Sequence, residues 1–412
     1  NLINLHQPLS TSSTFINLIN LINLINLINL YQPLSTSSTF INLYQPHQPS
    51  STFINLINLY QPHQPHQPHQ PHQPHQPLST SSTFINLINP NQPSSTLIHM
   101  RHQTTSHILM VRPANFAFNE ETAANNAFQS RDQQLSPAQM RENAVREFDD
   151  FVQKLRDAGV QVIVAQDSDQ PVKPDAVFPN NWVSFHQEGY MVTYPMFAPT
   201  RRRERSEAVI EAVRAAGFAY DMHLRWEGCE SEGLFLEGTG SIIFDHQHRL
   251  AYACLSPRTD GDLLRALCAR MAYEAVIFHA ADAQGQDIYH TNVMMALGES
   301  FVVICLDSVR DAQERAMLEQ RFRDTGKELV EISLEQMNSF AGNMLQVRNR
   351  SDETLLVMSA QAHQALSPQQ IERLERHTRL LWADLRTIET YGGGSARCMM
   401  AEVFAPQPAG RS

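Results

Sequence analysis

Leu236-Glu-Gly-Thr-Gly-Ser-Ile-Ile-Phe-Asp-His-Gln-His-Arg-Leu-Ala-Tyr-Ala-Cys254 reads as a glycine-bearing corner followed by a β-hairpin. Two apolar runs flank the tip Asp245-His-Gln-His248, and a polar tip between apolar runs is a hairpin signal. Beyond it, 258–272 carries a helical apolar period and Ala275-Val-Ile-Phe278 a short strand. The unit is therefore corner, hairpin, helix, strand.

The same order recurs along the chain. Hairpins are expected at 182–194 around Gln187-Glu-Gly189, at 293–306 around Gly298-Glu-Ser300 and at 344–358 around Asn349-Arg-Ser-Asp352. Amphipathic helices are expected at 137–158, 200–216, 307–325 and 367–383. Ser136-Pro137 and Ser367-Pro368 supply an N-cap and a first helical residue, and Gly159, Gly217 and Gly326 suit the position just past a helix. Single strands are expected at Gln161–Ala165, Glu328–Ile332 and Leu385–Ile388. The last unit, with strands at 385–389 and 399–404, is incomplete. His107-Ile-Leu-Met-Val-Arg-Pro113 and helix 137–158 complete it from the other end of the chain, which closes a ring as propellers do.

One chemistry-bearing residue stands at the corner of each unit: Asp175, Glu237, His290, Asn343 and Cys398. They are 62, 53, 53 and 55 residues apart in turn. Near-constant spacing puts all five at equivalent corners of a pseudo-fivefold ring, converging at one end of its axis. Cys398 ends Tyr391-Gly-Gly-Gly-Ser-Ala-Arg-Cys398, where glycines allow close approach to a ligand and Arg397 would favour a thiolate. Taken alone, such a thiol reads equally well as core filler.

Composition narrows the class. All 73 charged residues and all five cysteines lie beyond Met100, so the net charge of −11 belongs to the last 312 residues. An acidic chain without a basic stripe argues against a nucleic-acid partner. No apolar run reaches the roughly 20 residues of a membrane span, and no secretory signal is evident. Cysteines 229, 254, 268, 305 and 398 are odd in number and widely spaced, which fits free thiols in the cytoplasm and argues against a structural metal site.

Residues 1–100 are of another kind. His-Gln-Pro, Ile-Asn-Leu and Ser-Thr-Ser fill them, and all three come from one repeat, CATCAACCT, read in three frames. A segment without charge or packing period is expected to be disordered. The expectation is that it is a translated DNA repeat and that Met100 is the true start. The His63–His75 series could bind metal, but nothing else in the segment supports it.

Val111-Arg-Pro-Ala-Asn-Phe116, Asp175-Ala-Val-Phe-Pro-Asn-Asn-Trp182, His290-Thr-Asn292 and Gly392-Gly-Gly-Ser-Ala-Arg-Cys398 together resemble the pentein, or guanidino-group-modifying, superfamily. The likeness covers 107–405 and is nearest the amidinotransferase-like branch with the citrulline-utilization hydrolases. It implies an α/β fold, a five-bladed ββαβ propeller at 107–405, with a tail at 406–412. It also implies a cytoplasmic hydrolase with no cofactor and no metal, a small amino-acid substrate, and room for homo-oligomers. By resemblance Cys398 would be the nucleophile, His290 the general acid/base and Glu237 its carboxylate. Phe178 would pack on the planar substrate group. Asp175, Asn181, Asn292 and Asn343 would line the substrate end, with Arg112 (and Asn115) at its amino-acid end.

Arginine deiminases carry Asp where this chain has Asn181 and Asn292. A guanidinium cation wants carboxylates, whereas a neutral ureido group has an acceptor as well as donors and suits Asn. Citrulline, giving ornithine, ammonia and carbon dioxide, is therefore the expected substrate. An arginine deiminase-type hydrolase, an amidinotransferase and a non-catalytic binding protein of the same fold are the alternatives.

Overall fold

The computed structural model describes residues 101–130 and 135–406, which belong to the compact unit Ser95–Ser412. The expected disorder of 1–100 and the tail beyond Pro406 lie outside the described residues.

Strand β1 (His107–Arg112) leads to helix α1 (Pro137–Asp157) and returns as β2 (Gln161–Gln166), parallel to β1. Ser136 caps α1 in a full capping box with Gln139, and Pro137 fixes the first turn. The helix buries Met140, Ala144, Phe148, Phe151, Val152 and Leu155 on one stripe.

Four blades repeat one plan: an antiparallel hairpin, a helix, then an outer strand parallel to the middle one. The second has β3 (Val183–Phe185), β4 (Tyr190–Thr193), α2 (Glu207–Ala215) and β5 (Met222–Arg225). The third has β6 (Ile243–Asp245), β7 (Leu250–Cys254), α3 (Gly261–Met271) and β8 (Glu274–Phe278). The fourth has β9 (Met295–Leu297), β10 (Phe301–Ile304), α4 (Ala312–Asp324) and β11 (Glu328–Glu331). The fifth has β12 (Leu345–Arg348), β13 (Thr354–Ser359), α5 (Pro368–Glu375) and β14 (Arg379–Ala383). The ring closes where β15 (Ala401–Glu402) pairs antiparallel with β1, giving five three-stranded sheets. Middle strands are buried on both faces: every residue of β7 and β10 is inside.

Three sequence expectations fail locally. The helix expected at 200–216 breaks into a turn at Pro199–Arg202 and α2. The helix expected at 367–383 stops at Glu375, and 379–383 is strand β14. Leu385–Ile388, expected as a strand, opens a helix at Arg386–Gly392, because Glu147 of α1 accepts the otherwise orphaned N–H groups of Thr387 and Ile388. Strand β5 was not expected at all; its Met-His-Leu-Arg pattern is half exposed and barely apolar.

Candidate active site

Each corner residue sits just before the inner strand of a sheet. Glu237 and His290 are the N-cap positions of single helical turns, Gly238–Ser241 and Thr291–Met294, that lead into β6 and β9. Asp175 precedes the turn Pro179–Asn181, Asn343 precedes β12, and Cys398 precedes β15. Asp175, Phe178, Asn181, His290 and Cys398 line one cavity together with Thr122, Asn126, Arg201, Arg258, Tyr289 and Gly392–Gly394. It measures about 20 Å³ and holds one water-sized volume in this conformation.

His290 and Glu237 form a buried pair. Nε2 lies 2.8 Å from Glu237 Oε2, and Glu237 Oε1 accepts the Phe197 N–H at 2.9 Å. Burial works against the Glu237 charge, but Arg258, with Nη1 3.7 Å from Oε2, and the His290 bond outweigh it and hold the carboxyl down at about 2. Burial also pulls the imidazole down to about 4, against the opposing effect of Glu237. The resting pair is an ionised carboxylate and a neutral imidazole. A carboxylate only accepts, so Nε2 carries the proton and Nδ1 carries the lone pair. Nδ1 is buried without a hydrogen-bond partner. Gly240 makes room for it: a Cβ there would stand 2.7 Å from Nδ1 and 2.4 Å from Asn181 Nδ2.

Cys398 is 3% exposed. Its Sγ lies 3.4 Å from Asn292 Nδ2 and 3.3 Å from Asn343 Nδ2. The Arg397 guanidinium, expected beside the thiol, turns away to Met400 O and Glu402. Cys254, Cys268 and Cys305 are core thiols whose pKa burial pushes up to about 12, 12 and 11.

Phe178 lies against the glycine loop, where a Cβ on Gly392 or Gly394 would meet its ring at 2.9 Å. Behind it stands Arg201. The run Arg201-Arg-Arg203 reads from sequence as a solvated helix end, with carboxylate binding as the alternative, yet Arg201 is only 3% exposed. It forks onto Glu204 at 2.9 and 2.8 Å, donates to Asn181 Oδ1 at 2.7 Å, and lies 3.9 Å from Asp175. Burial raises Asp175 above the usual carboxylate range, against Arg201 and the Asn119 hydrogen bond. Arg258, also buried, donates to Thr122 O and stands 4.9 Å over the Tyr289 ring. Arg258 and Tyr289 were not sequence candidates. The Glu three residues after Arg201 was the signal for its burial; Ser256-Pro-Arg258 offered none.

Arg112 does not belong to the cluster. It ends β1 on the outer face and makes two 2.8 Å bonds to Asp149 of α1, which leaves no route to the cavity. Asn115 binds Asp169 O at an exposed position. Among the described residues, no group of three or more His, Cys, Asp or Glu stands where it could hold a metal ion, and no helix is long and apolar enough to cross a membrane.

A five-sheet ring with Cys, His and Glu gathered at one end defines a pentein-fold protein of the guanidino-group-modifying superfamily. Within that class, the family model described as N,N dimethylarginine dimethylhydrolase, eukaryotic, matches residues 112–405, and the chain belongs to this family of hydrolases. No curated protein matches it. Among solved structures it is similar to ArgZ without ligand, an arginine dihydrolase from the ornithine-ammonia cycle in cyanobacteria (19% identity, TM-score 0.57, 73% of this chain and 41% of that one). Unliganded AgrE is alike to a similar degree (18%, TM-score 0.57, 74% and 40%). A dimethylarginine dimethylaminohydrolase adduct with S-methyl-L-thiocitrulline follows (16%, TM-score 0.51, 73% and 99%). The chain thus spans about two fifths of the ArgZ and AgrE chains, but 98% of the ArgZ N-terminal domain. At these identities what is shared is the fold.

Proposed function

We propose that residues 107–405 form a cysteine hydrolase of ureido or guanidino amino acids, and that citrulline is its substrate. One observation carries the choice of citrulline. Arg201 has only donors, so the Asn181 oxygen must face it and the Asn181 NH₂ is left over. That Nδ2 is buried, without a partner, on a residue that lines the cavity. A ureido carbonyl can accept from it; a guanidinium has no acceptor. Asp175 Oδ1, also buried without a partner and on a residue that lines the cavity, remains to accept a ureido N–H group; Asn292, expected at the substrate end, is buried beside Cys398 and does not line the cavity.

In this reading the Cys398 sulfur bonds to the ureido carbon and the carbonyl electrons move to oxygen. His290 Nδ1 passes the proton taken from the thiol to the departing nitrogen. The carbon–nitrogen bond breaks, ammonia leaves, and a thiocarbamate remains on Cys398. Water, deprotonated by Nδ1, then attacks that carbon and the carbon–sulfur bond breaks. The carbamate that results falls apart to ornithine and carbon dioxide, so citrulline and one water give ornithine, ammonia and carbon dioxide. Glu237 holds the tautomer and stabilises the imidazolium.

Arginine is the second reading. Asp175 favours it, since one buried carboxylate remains to face a cation, and ArgZ is an arginine dihydrolase and the third structure a dimethylarginine dimethylaminohydrolase. An amine in place of water would make the protein an amidinotransferase. The test is a panel of citrulline, arginine, dimethylarginine, agmatine and N-succinylarginine without acceptor amine, with ammonia and ornithine measured for the wild type and Cys398→Ala. Ammonia and ornithine from citrulline alone support the proposal. Turnover of arginine with citrulline untouched overturns it, and ammonia release that needs an added amine makes the protein a transferase.

A further inference from the structure

We propose that Glu389 is a positioning residue for Cys398: through Ser395 it clamps the glycine loop that carries the thiol, from outside the substrate cavity. The inference rests on Cys398 being the nucleophile, but not on which substrate it attacks.

Gly392, Gly393 and Gly394 have no side chains with which to fix the loop, and Gly393 stands at φ +63°, in the left-handed region. Glu389 grips the loop twice. Its backbone carbonyl accepts the Gly393 N–H at 3.0 Å, and its Oε1 accepts the Ser395 hydroxyl at 2.6 Å. Ser395 in turn opens the turn of the nucleophile: its carbonyl accepts the N–H groups of Cys398 at 3.0 Å and Met399 at 3.3 Å. A further hydrogen bond ties the Glu389 carboxyl to Ser359, the last residue of β13. Ser359 Oγ already accepts the Ala362 N–H, so its own hydrogen is left to give. The carboxyl thereby fastens the loop to the fifth blade. Across the turn, Asn343 Oδ1 accepts the Arg397 N–H at 3.0 Å. Asn343, expected at the substrate end, braces the same turn and does not line the cavity, and neither do Glu389 and Ser395.

A carboxyl is a costly choice at this place. Glu389 is 2% exposed, and Ser359 and Ser395 are fully buried. Burial works against its charge, and so do the carboxylates of Glu147 and Asp384. A leucine would fill the volume without that cost. What it would lose is the acceptor for Ser395. The loop is packed tightly enough for that loss to be felt. A Cβ on Gly394 would stand 2.9 Å from the Phe178 ring and 3.3 Å from Cys398 Cβ. A small shift of the loop therefore moves the thiol relative to the ring expected to pack on the substrate.

The experiment compares Glu389→Gln, which keeps an acceptor oxygen, with Glu389→Leu, which does not, with Ser395→Ala, and with the double variant Glu389→Leu/Ser395→Ala. Turnover is measured on whichever amino acid of the panel above reacts, and labelling of Cys398 by iodoacetamide is read from the mass of its peptide. Glu389→Leu and Ser395→Ala are each expected to lower kcat by about tenfold to a hundredfold, with KM within about twofold. The double variant should lose no more than the worse single one, because both remove the same bond. Glu389→Gln should keep kcat within about threefold of the wild type. Labelling of the nearly buried thiol should quicken severalfold in Glu389→Leu and Ser395→Ala as the loop loosens, while turnover falls. Should Glu389→Leu fail to melt cooperatively, Ser395→Ala carries the same comparison. Additive losses in the double variant, equal losses in Glu389→Gln and Glu389→Leu, or wild-type turnover and labelling in Ser395→Ala overturn the proposal. If labelling changes as expected but the wild type turns over no ureido or guanidino amino acid, the clamp stands and the hydrolase reading falls.

Discussion

Asn181 differs from an aspartate by one nitrogen, and Arg201 decides which way that nitrogen points. Asn181→Asp would give Arg201 a carboxylate and turn the second oxygen toward Gly240, where the amide nitrogen now lies. An acceptor there repels a ureido oxygen and attracts a guanidinium. The expected outcome is a fall of roughly tenfold to a hundredfold in kcat/KM for citrulline, with arginine turnover rising. Equal losses for both substrates would show that Asn181 does not discriminate. The His290 pair gives a second prediction. With the imidazole drawn down to about 4, Nδ1 stays a base well below the usual histidine range. The acid limb of kcat/KM should therefore fall nearer pH 4 than 6.5, and Glu237→Gln should lower kcat at neutral pH by roughly 10²–10⁴-fold by freeing the tautomer. A midpoint at 6.5 in the wild type would place the titrating base elsewhere.

The elements show how much was written locally. Four hairpins, the capped helix α1 and the outer strands β2, β8 and β11 could be read from apolar period and polar tips, because each obeys a pattern of its own neighbours. Cys398, His290 and Glu237 were legible because the ring repeats, so equal spacing stands in for proximity. Arg201 was passed over although its partner Glu204 stands three residues on. Arg258 was not legible, since its burial depends on Glu237 and Asn125, which come from other units. The helix Arg386–Gly392 was misread for the same reason: its cap, Glu147, lies far away in sequence. That helix carries a prediction. Its Glu389 accepts Ser395 Oγ under the loop that ends in Cys398, and burial pushes its carboxyl up to about 7, against hydrogen bonds from Ser359 and Ser395 and helped by Glu147 and Asp384. A carboxyl raised in the folded state binds its proton more tightly there than in the unfolded chain. Its contribution therefore falls as pH rises from about 4.5 through 7, by roughly 3 kcal/mol in all. Glu389→Gln should remove that loss, raising the melting temperature at pH 8 more than at pH 5. Equal shifts at both pH values would show that Glu389 stays ionised in the fold.

At the scale of the whole ring, closure depends on a very short strand. β15 pairs with β1 through Ile108–Glu402 and Leu109–Ala401, and Val403 bridges to Phe185 of β3. Val403 N–H also donates to His107 O, Val403 O accepts Thr105 Oγ1 at 2.9 Å, and Phe404 O accepts the Tyr220 hydroxyl at 2.6 Å. Ala401, Val403 and Phe404 are 1%, 0% and 5% exposed. Burying a valine and a phenylalanine is worth about 1.5–3 kcal/mol each. Losing them together with the ladder bonds would consume much of the roughly 5–15 kcal/mol by which a domain is stable. The last strand follows the nucleophile by only a few residues, so closing the ring and placing Cys398 are one event: without β15 the turn Ser395–Met400 has no anchor on its C-terminal side. A chain ending after Pro406 should melt and turn over as the full chain does. A chain ending after Met400, which still contains all five corner residues, should lose its cooperative melting transition and its activity together. If that shorter chain kept the wild-type melting temperature, the ring would be held by its blades alone, and the site would owe nothing to closure.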